Sequence, residues 1–137
     1  IPTIIVQALT LDEIHLGALH PRRDFTFVDD TVEGFLRMAA ADSVVGQEIN
    51  IGAGECVSIG DLAQKIMHLT GRPLPIVTEE RRIRPEKSEV MRLHASNVKA
   101  RELIGWEPNI SLDEGLRLTI AWIRQHLDQY RPEVYEV

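Results

Sequence analysis

Short extended segments alternate with amphipathic helices along this chain, and that alternation constrains the fold more than any other feature. Apolar residues recur at helical spacing in long stretches, whereas the extended segments between them are brief. This pattern favours a small, helix-rich α/β layer domain over an all-α bundle or a β-sandwich. A chain of 137 residues is predicted to form one domain, residues 1–137, without room for a Rossmann unit and a second domain.

Several helix boundaries can be predicted from capping residues. Ser58 with Asp61, and Ser111 with Glu114, are typical of capping boxes at helix starts. Asp29 or Asp30 is predicted to cap another helix. The apolar stripe of that helix is expected to be buried, and it consists of Val32, Phe35, Leu36, Ala39 and Ala40. Short strands are predicted at residues 14–16, 24–28, 47–51 and 75–78.

Composition and charge exclude several classes of partner. Hydrophobic residues make up 44% and charged residues 26%, as in an ordinary globular protein. The net charge of −6 argues against non-specific nucleic-acid binding. No apolar stretch approaches the length of a membrane span, and no signal peptide is recognisable. Because Cys56 is the single cysteine, no internal disulfide can form, and a reducing, cytoplasmic location is expected.

Most motifs that carry chemistry are missing or incomplete. Gly52-Ala53-Gly54 suits a phosphate-binding loop, but Val57 stands where the third glycine of a dinucleotide fingerprint is required, so a plain turn is favoured. The histidines lack the paired spacing of a zinc site. No serine lies in a nucleophile elbow.

Basic residues form the one positive signal for a binding site. They gather into two short segments of an otherwise acidic chain: Arg22, Arg23, Arg81, Arg82, Arg84 and Lys87. Arginine forks bind phosphate oxygens well, so the two segments could together form one pocket for an anion. The alternative is that both are solvated loops with surface ion pairs to neighbouring glutamates, namely Glu79, Glu80, Glu86 and Glu89.

Motifs in a fixed order resemble the carboxyl-terminal part of an extended short-chain dehydrogenase/reductase. They are Ile1-Pro2, Arg23-Asp24-Phe25, Val28-Asp29-Asp30, Ile49-Asn50-Ile51-Gly52, Arg84-Pro85, and Lys99-Ala100-Arg101 followed by Gly105-Trp106 and Pro108. The chain is most similar to nucleotide-sugar 4,6-dehydratases, and related 4-epimerases share the plan. The resemblance covers nearly the whole chain.

The resemblance implies that this part binds a nucleotide diphosphate sugar, while NAD belongs to an amino-terminal half absent from this sequence. Arg23 and Arg84 are similar to diphosphate-binding arginines, and Lys87 occupies a position of a diphosphate or ribose contact. Asn50 resembles a residue near the ribose and phosphate, and Ile14 and Leu16 fall where the family lines its base pocket. Asp24, Asp29 and Trp106 are assigned to caps and packing.

No catalytic residue is predicted. The family's proton transfer needs a tyrosine four residues before a lysine, and neither Tyr130 nor Tyr135 has one. No cofactor is expected to bind this chain alone. Two functions stay open: the substrate-binding part of a dehydratase or epimerase, or a free-standing binding or assembly module derived from it.

A surface exposed by the missing half is expected to be apolar and to promote a homodimer. The side chains expected there are Ile1, Ile4, Ile5 and Val6. The alternative is a monomer, which the net charge of −6 favours.

Overall fold

The computed structural model describes residues 1–83, 85 and 88–131. Its helices are α1 (Pro2–Thr10), α2 (Val28–Ala40), α3 (Ile59–Thr70), α4 (Val98–Ile104) and α5 (Leu112–Gln125). Its strands are β1 (Ile14–Leu16), β2 (Arg22–Asp24), β3 (Cys56–Ser58), β4 (Ile76–Thr78) and β5 (Arg92–Leu93). Long helices and very short strands confirm the predicted helix-rich α/β class.

The chain divides into two compact units. Unit 1 consists of the described residues of Ile1–Pro21, Ser58–Val90 and Leu116–Val137, and unit 2 of Arg22–Val57 and Met91–Gly115. Each unit is therefore assembled from segments that are distant in sequence. The prediction of one domain over residues 1–137 stays a prediction.

Unit 1 is built around α1, which packs against α3 and β1. Strands β1 and β4 are parallel, with Ile14 opposite Ile76 and Leu16 opposite Thr78. The buried side chain of Gln7 ties α1 to β1, because its Oε1 accepts a 2.6 Å hydrogen bond from the main-chain N of His15. The buried apolar residues of this unit are Ile4, Ile5, Val6, Ala8, Ile14, Leu16, Leu62, Ala63, Ile66, Met67, Leu116, Ile120 and Ile123.

The opening helix does not provide the exposed apolar surface that was expected. Ile4, Ile5 and Val6 are buried in unit 1, and Ile1 is half-buried. Because α1 lies against α3, its apolar residues already have partners within the unit. The prediction that these residues form an exposed surface is therefore wrong.

Unit 2 contains a three-stranded sheet in the order β3-β2-β5, accompanied by α2 and α4. Strands β2 and β5 are parallel, with Arg22 opposite Arg92 and Arg23 opposite Leu93. Trp106 is fully buried, which confirms its assignment to packing, and Ala100 of α4 is buried with it. The unit is held together by polar contacts as well as by this small apolar core.

Helix α2 has its polar side inward, contrary to the prediction of a buried apolar stripe. All five residues of that stripe are exposed. Asp30 and Gly34 are the buried positions instead. The carboxylate of Asp30 accepts hydrogen bonds from Asn109 N and Ile110 N, both at 3.0 Å, and these bonds fix which side of the helix faces the unit.

Local capping predictions succeeded where the partners lie within one turn. Ser58 Oγ accepts from Asp61 N at 3.0 Å, and Ser111 Oγ accepts from Glu114 N at 3.3 Å. The cap predicted at Asp29 or Asp30 is wrong, since α2 begins at Val28 and both residues lie in its first turn. Residues 47–51 form no strand, and the strand lies further on, at Cys56–Ser58.

No helix in the part of the chain that the structure describes is long and apolar enough to cross a membrane.

Candidate functional site

The central strand of unit 2 carries the first arginine predicted to bind a ligand. Arg23 lies on β2, half-buried, between β3 and β5. Its Nη1 donates a 3.0 Å hydrogen bond to the main-chain O of Arg22, and the residue makes a further interaction. The neighbouring Arg22 is exposed, and its Nη2 donates to the main-chain O of Cys56 at 2.7 Å. A central strand gives both arginines a defined backbone position.

Asp24 follows Arg23 and fixes two loops to the end of the same strand. Its carboxylate accepts hydrogen bonds from the main-chain N of Ala53 at 2.9 Å, Gly54 at 3.0 Å and Ala95 at 3.3 Å. A carboxylate that accepts several amide hydrogen bonds is a strong structural anchor. These bonds confirm that Asp24 has a structural role, and they hold the glycine turn beside the strand that carries Arg23.

The turn at Gly52 packs tightly, which explains its composition. A Cβ placed on Gly52 would overlap Ala95 Cβ and lie 3.0 Å from Asp24 Oδ2. Gly54 has a φ of 79°, a conformation that favours glycine. The glycines therefore serve close packing and a left-handed turn. Asn50 is exposed in the segment that enters this turn, so Arg23 and Asn50 lie on segments that Asp24 joins within unit 2.

Two further basic residues of unit 2 were missed from the sequence. Arg92 is exposed on β5 directly opposite Arg22, and His94 Nε2 lies 2.9 Å from the main-chain O of Gly54. Like charges on adjacent strands repel each other, and a bound anion would relieve that repulsion. Only the pairing of β2 with β5 brings these residues together, because about 70 residues separate the strands in sequence.

The second basic segment belongs to unit 1, and its first two arginines pair with one glutamate. Arg81 Nε lies 2.9 Å and Arg82 Nε 2.5 Å from Glu79 Oε2. Hydrogen bonds from Arg81 and then Arg82 hold the pKa of Glu79 down at about 2. Arg81 and Arg82 therefore form local ion pairs with a glutamate, which was the alternative to a pocket for an anion. Arg84 and Lys87 lie outside the described residues.

The same glutamate approaches a histidine on β1. His15 Nδ1 lies 2.9 Å from Glu79 Oε1, and His15 Nε2 lies 2.9 Å from Glu13 Oε1. The contact between His15 Nδ1 and Glu79 Oε1 is short, but its geometry is not that of a hydrogen bond. Nδ1 is therefore buried without a hydrogen-bond partner among the described residues. No three histidine, cysteine or carboxylate side chains converge as metal ligands in the described part of the chain.

The predicted base-pocket residues are core residues of unit 1. Ile14 and Leu16 are both buried on β1, opposite Ile76 and Thr78 of β4. Burial of this kind is what core packing produces. A role for either residue beside a nucleotide base stays a prediction.

Comparison with known proteins gives the family. The family model for GDP-mannose 4,6 dehydratase matches residues 1–119. The chain belongs to this family. It thus belongs to the nucleotide-sugar epimerase and dehydratase group of the extended short-chain dehydrogenases/reductases, which confirms the family drawn from the ordered motifs.

Curated and solved relatives agree with this placement. GDP-mannose 3,5-epimerase of Arabidopsis thaliana is 33% identical over 115 residues, covering 84% of this chain and 29% of that protein. The epimerase Mth375 of Methanothermobacter thermautotrophicus has a TM-score of 0.84 at 29% identity, covering 93% of this chain and 38% of that one. UDP-glucose 4-epimerase of Thermotoga maritima, solved with UDP-glucose, has a TM-score of 0.76 at 29% identity, covering 90% and 38%.

The matched region covers only part of each relative. The chain spans between 29% and 40% of the length of the curated relatives that it matches. These relatives therefore possess a large amount of polypeptide that has no counterpart in this sequence.

Proposed function

We propose that this chain is the nucleotide-sugar-binding part of an NAD-dependent nucleotide-sugar dehydratase or epimerase. The ligand class is a nucleotide diphosphate sugar, and residues 1–137 act together as one binding module. One observation carries the proposal: Arg23 lies on the central strand of unit 2, next to the Asp24 anchor and beside the exposed pair Arg22 and Arg92. This arrangement supports binding of a diphosphate.

Electrostatics favour an anion at this strand pair. The chain as a whole is acidic, with a net charge of −6, yet three arginines lie on two adjacent strands. Guanidinium groups donate charge-assisted hydrogen bonds to phosphate oxygens, often in pairs. We assign the principal diphosphate contact to Arg23. Arg92 adds only longer-range positive charge, because it is in register with Arg22 and neighbouring residues of a strand point to opposite faces of the sheet. Arg84, Lys87 and Asn50 remain proposed contacts, and Ile14 and Leu16 remain proposed base-pocket residues.

We further propose that the chain is catalytically incomplete alone. It carries no tyrosine four residues before a lysine, the arrangement that lowers the pKa of a catalytic phenol in this group. It also lacks the third glycine of a dinucleotide fingerprint, so NAD is assigned to polypeptide outside this sequence. The alternative, a free-standing binding or assembly module, differs only in whether such polypeptide accompanies the chain. We propose a cytoplasmic location for the chain under either of these two alternatives.

Calorimetric titration with GDP, UDP and dTDP at low ionic strength tests the binding proposal. We expect weak, saturable binding, because contacts from the rest of a cleft are missing and ordering costs remain. Arg23→Ala and Arg84→Ala should each weaken it by about 1–3 kcal/mol, the range for a charged hydrogen bond. Arg92→Ala should weaken it less, because Arg92 is in register with Arg22, on the face of the sheet opposite to Arg23, and adds only longer-range positive charge.

Arg124→Ala is the matched control, since Arg124 is exposed on α5 in unit 1. It should leave the affinity unchanged. Equal binding of all three nucleotides to wild type and to both Arg23→Ala and Arg84→Ala would refute the site, and so would no binding at millimolar nucleotide. The predicted homodimer stays a prediction, and the buried apolar residues of α1 are not its interface.

A further inference from the structure

Strands β2 and β5 place two arginines side by side in unit 2. Arg22 and Arg92 are opposite each other in the parallel ladder, and both side chains are exposed. Adjacent strands lie about 4.8 Å apart, and residues in register point to the same face of a sheet. Like charges directly opposite each other on neighbouring strands are destabilising. Folding of unit 2 therefore brings two positive charges together against their repulsion.

Neither arginine is neutralised by an acidic side chain. Within the described residues, no ion pair involves Arg22 or Arg92, whereas several other arginines do have a carboxylate partner. Those are Arg37, Arg72, Arg81, Arg82 and Arg101. The sequence holds 21 acidic and 15 basic residues, so carboxylates are not scarce. The positive charge of the strand pair is thus left to an anion that the described chain does not supply.

The backbone and one of the two guanidinium groups are held in place before any ligand arrives. Arg22 Nη2 donates a 2.7 Å hydrogen bond to the main-chain O of Cys56, and the main-chain N of Arg22 donates one of 2.8 Å to Met91 O. His94 Nε2 donates to the main-chain O of Gly54 at 2.9 Å, which holds the chain just after β5. A guanidinium carries several N–H donors, so Arg22 keeps donors for a ligand. A site that is ordered in advance loses less entropy on binding.

This pair lies on the other face of the sheet from the diphosphate contact assigned above. Neighbouring residues of a strand point to opposite faces, so Arg23 points away from the face that carries Arg22 and Arg92. A small ion bound to one face cannot contact the other. A ligand at the pair is therefore distinct from one at Arg23.

We propose that Arg22 and Arg92 form a second oxyanion site, which takes a phosphate-class dianion. Guanidinium forks donate paired hydrogen bonds to phosphate oxygens, and a tetrahedral group offers oxygens to both forks at once. A phosphoryl group carries a charge of about −1.5 to −2 near pH 7, which balances the two arginines, whereas a carboxylate carries a single charge. Inorganic phosphate and the phosphoryl group of a larger ligand share this chemistry. The inference goes beyond the proposed function and does not depend on it.

Titration of the ¹⁵N-labelled chain with inorganic phosphate, followed by NMR at constant ionic strength, tests the site. We expect saturable shifts of the main-chain amides of β2 and β5. Arg22→Ala and Arg92→Ala should each weaken the affinity by about tenfold or more, the effect of losing a charged hydrogen bond. Arg124→Ala, at an exposed arginine of α5, is the matched control and should leave the affinity unchanged. Methyl phosphate is titrated in the same way, to separate the two sources of the anion.

A second measurement does not rely on the shifts. At ten times its Kd, phosphate should raise the Tm of the wild-type chain by about 4 °C more than that of Arg92→Ala. The comparison is needed because phosphate also stabilises proteins by exclusion from their surface, and this general effect is the same in both proteins. Arg92 is exposed and makes no hydrogen bond within the described residues, so the variant is expected to fold.

Equal affinity of wild type, Arg22→Ala and Arg92→Ala for phosphate would overturn the proposal, and so would shifts that do not saturate by about 100 mM phosphate. Similar binding of methyl phosphate and inorganic phosphate supports a site for the phosphoryl group of a larger ligand. Binding of inorganic phosphate alone supports a site for the free ion.

The proposed nucleotide site is tested separately, through Arg23→Ala and nucleotide titration. Loss of nucleotide binding in Arg23→Ala, together with phosphate affinity that is the same in wild type and Arg92→Ala, contradicts only the second site. Phosphate binding that depends on Arg22 and Arg92, without any nucleotide binding at Arg23, contradicts only the proposed function. Phosphate binding that depends on Arg23 but not on Arg92 would place the anion on the other face and would overturn the inference.

Discussion

Trp106 Nε1 donates a 2.9 Å hydrogen bond to the main-chain O of Asp30, and both residues are buried in unit 2. The side chain of the same aspartate accepts hydrogen bonds from the amides of Asn109 and Ile110. A single residue of α2 thus connects the start of that helix to the segment between α4 and α5. Few apolar residues are buried in this unit, so such contacts matter for its stability.

Replacing the Asp30 carboxylate should destabilise the protein clearly. Asp30→Ala leaves two main-chain amides without their acceptor, and each unsatisfied group costs about 1–3 kcal/mol where it is buried. Urea unfolding followed by tryptophan fluorescence measures the change in the free energy of unfolding. Asp29→Ala is the matched control, because Asp29 is the exposed neighbour in the same helical turn. Similar losses for the two variants would contradict the role given to Asp30.

Removing the Asp24 anchor should loosen the glycine turn and the strand of Arg23 together. Asp24→Ala deletes the acceptor of three amide hydrogen bonds, and we expect about 2 kcal/mol of lost stability with weaker nucleotide binding. Hydrogen exchange at Ala53, Gly54 and Ala95 should rise. The control is Asp42→Ala, at an exposed position of the same unit. Unchanged exchange at these three amides would show that other contacts hold the turn.

Stability should fall between pH 4.5 and 2 through Glu79. Its pKa is about 2 in the folded protein against an ordinary value of 4.5, so the folded state binds this proton less readily than the unfolded chain does. The stabilisation is therefore complete above pH 4.5 and is lost as the pH falls through about 2. Chemical unfolding at several pH values should show a shallower decline for Glu79→Gln than for wild type.

Glu80→Gln supplies the comparison for that series, since Glu80 is the exposed neighbour in sequence. Its profile should follow that of wild type. If wild type and Glu79→Gln run parallel down to about pH 2.5, Glu79 does not carry the acid sensitivity.

The chain alone should turn over no nucleotide sugar, even with NAD supplied. It has neither the tyrosine and lysine pair for proton transfer nor a dinucleotide fingerprint, and the reaction needs both. Product analysis after prolonged incubation with GDP-mannose and UDP-glucose, together with an NAD titration, measures this. Turnover would contradict the proposal that the chain is catalytically incomplete. Micromolar affinity for NAD would mean that the turn at Gly52 to Gly54 had been misjudged.

Features decided within a few residues of sequence were predictable. Ser58 and Ser111 cap the helices that follow them, as their capping boxes predict. Each of these depends on one turn of chain, where the side chain and its partner are neighbours in any context. The family, too, follows from the order of short motifs along the chain.

Features that join distant segments were not predictable. Arg92 lies opposite Arg22 in the sheet but is tens of residues away from it in sequence. The amides that donate to the carboxylates of Asp24 and Asp30 are likewise tens of residues away from these aspartates. The wrong strand at residues 47–51 has the same origin, because a strand requires a partner and these residues have none in the described structure.

Sequence alone therefore determined the class of fold, the starts of the helices that Ser58 and Ser111 cap, and the family of this protein. The tertiary structure decided which side of each helix is covered. Periodicity establishes that α2 and α1 each have an apolar stripe, but it carries no information on what lies against it. In α1 the stripe meets α3, whereas in α2 the hydrogen bonds of Asp30 and Arg37 turn the polar side inward and leave Phe35 and Leu36 exposed.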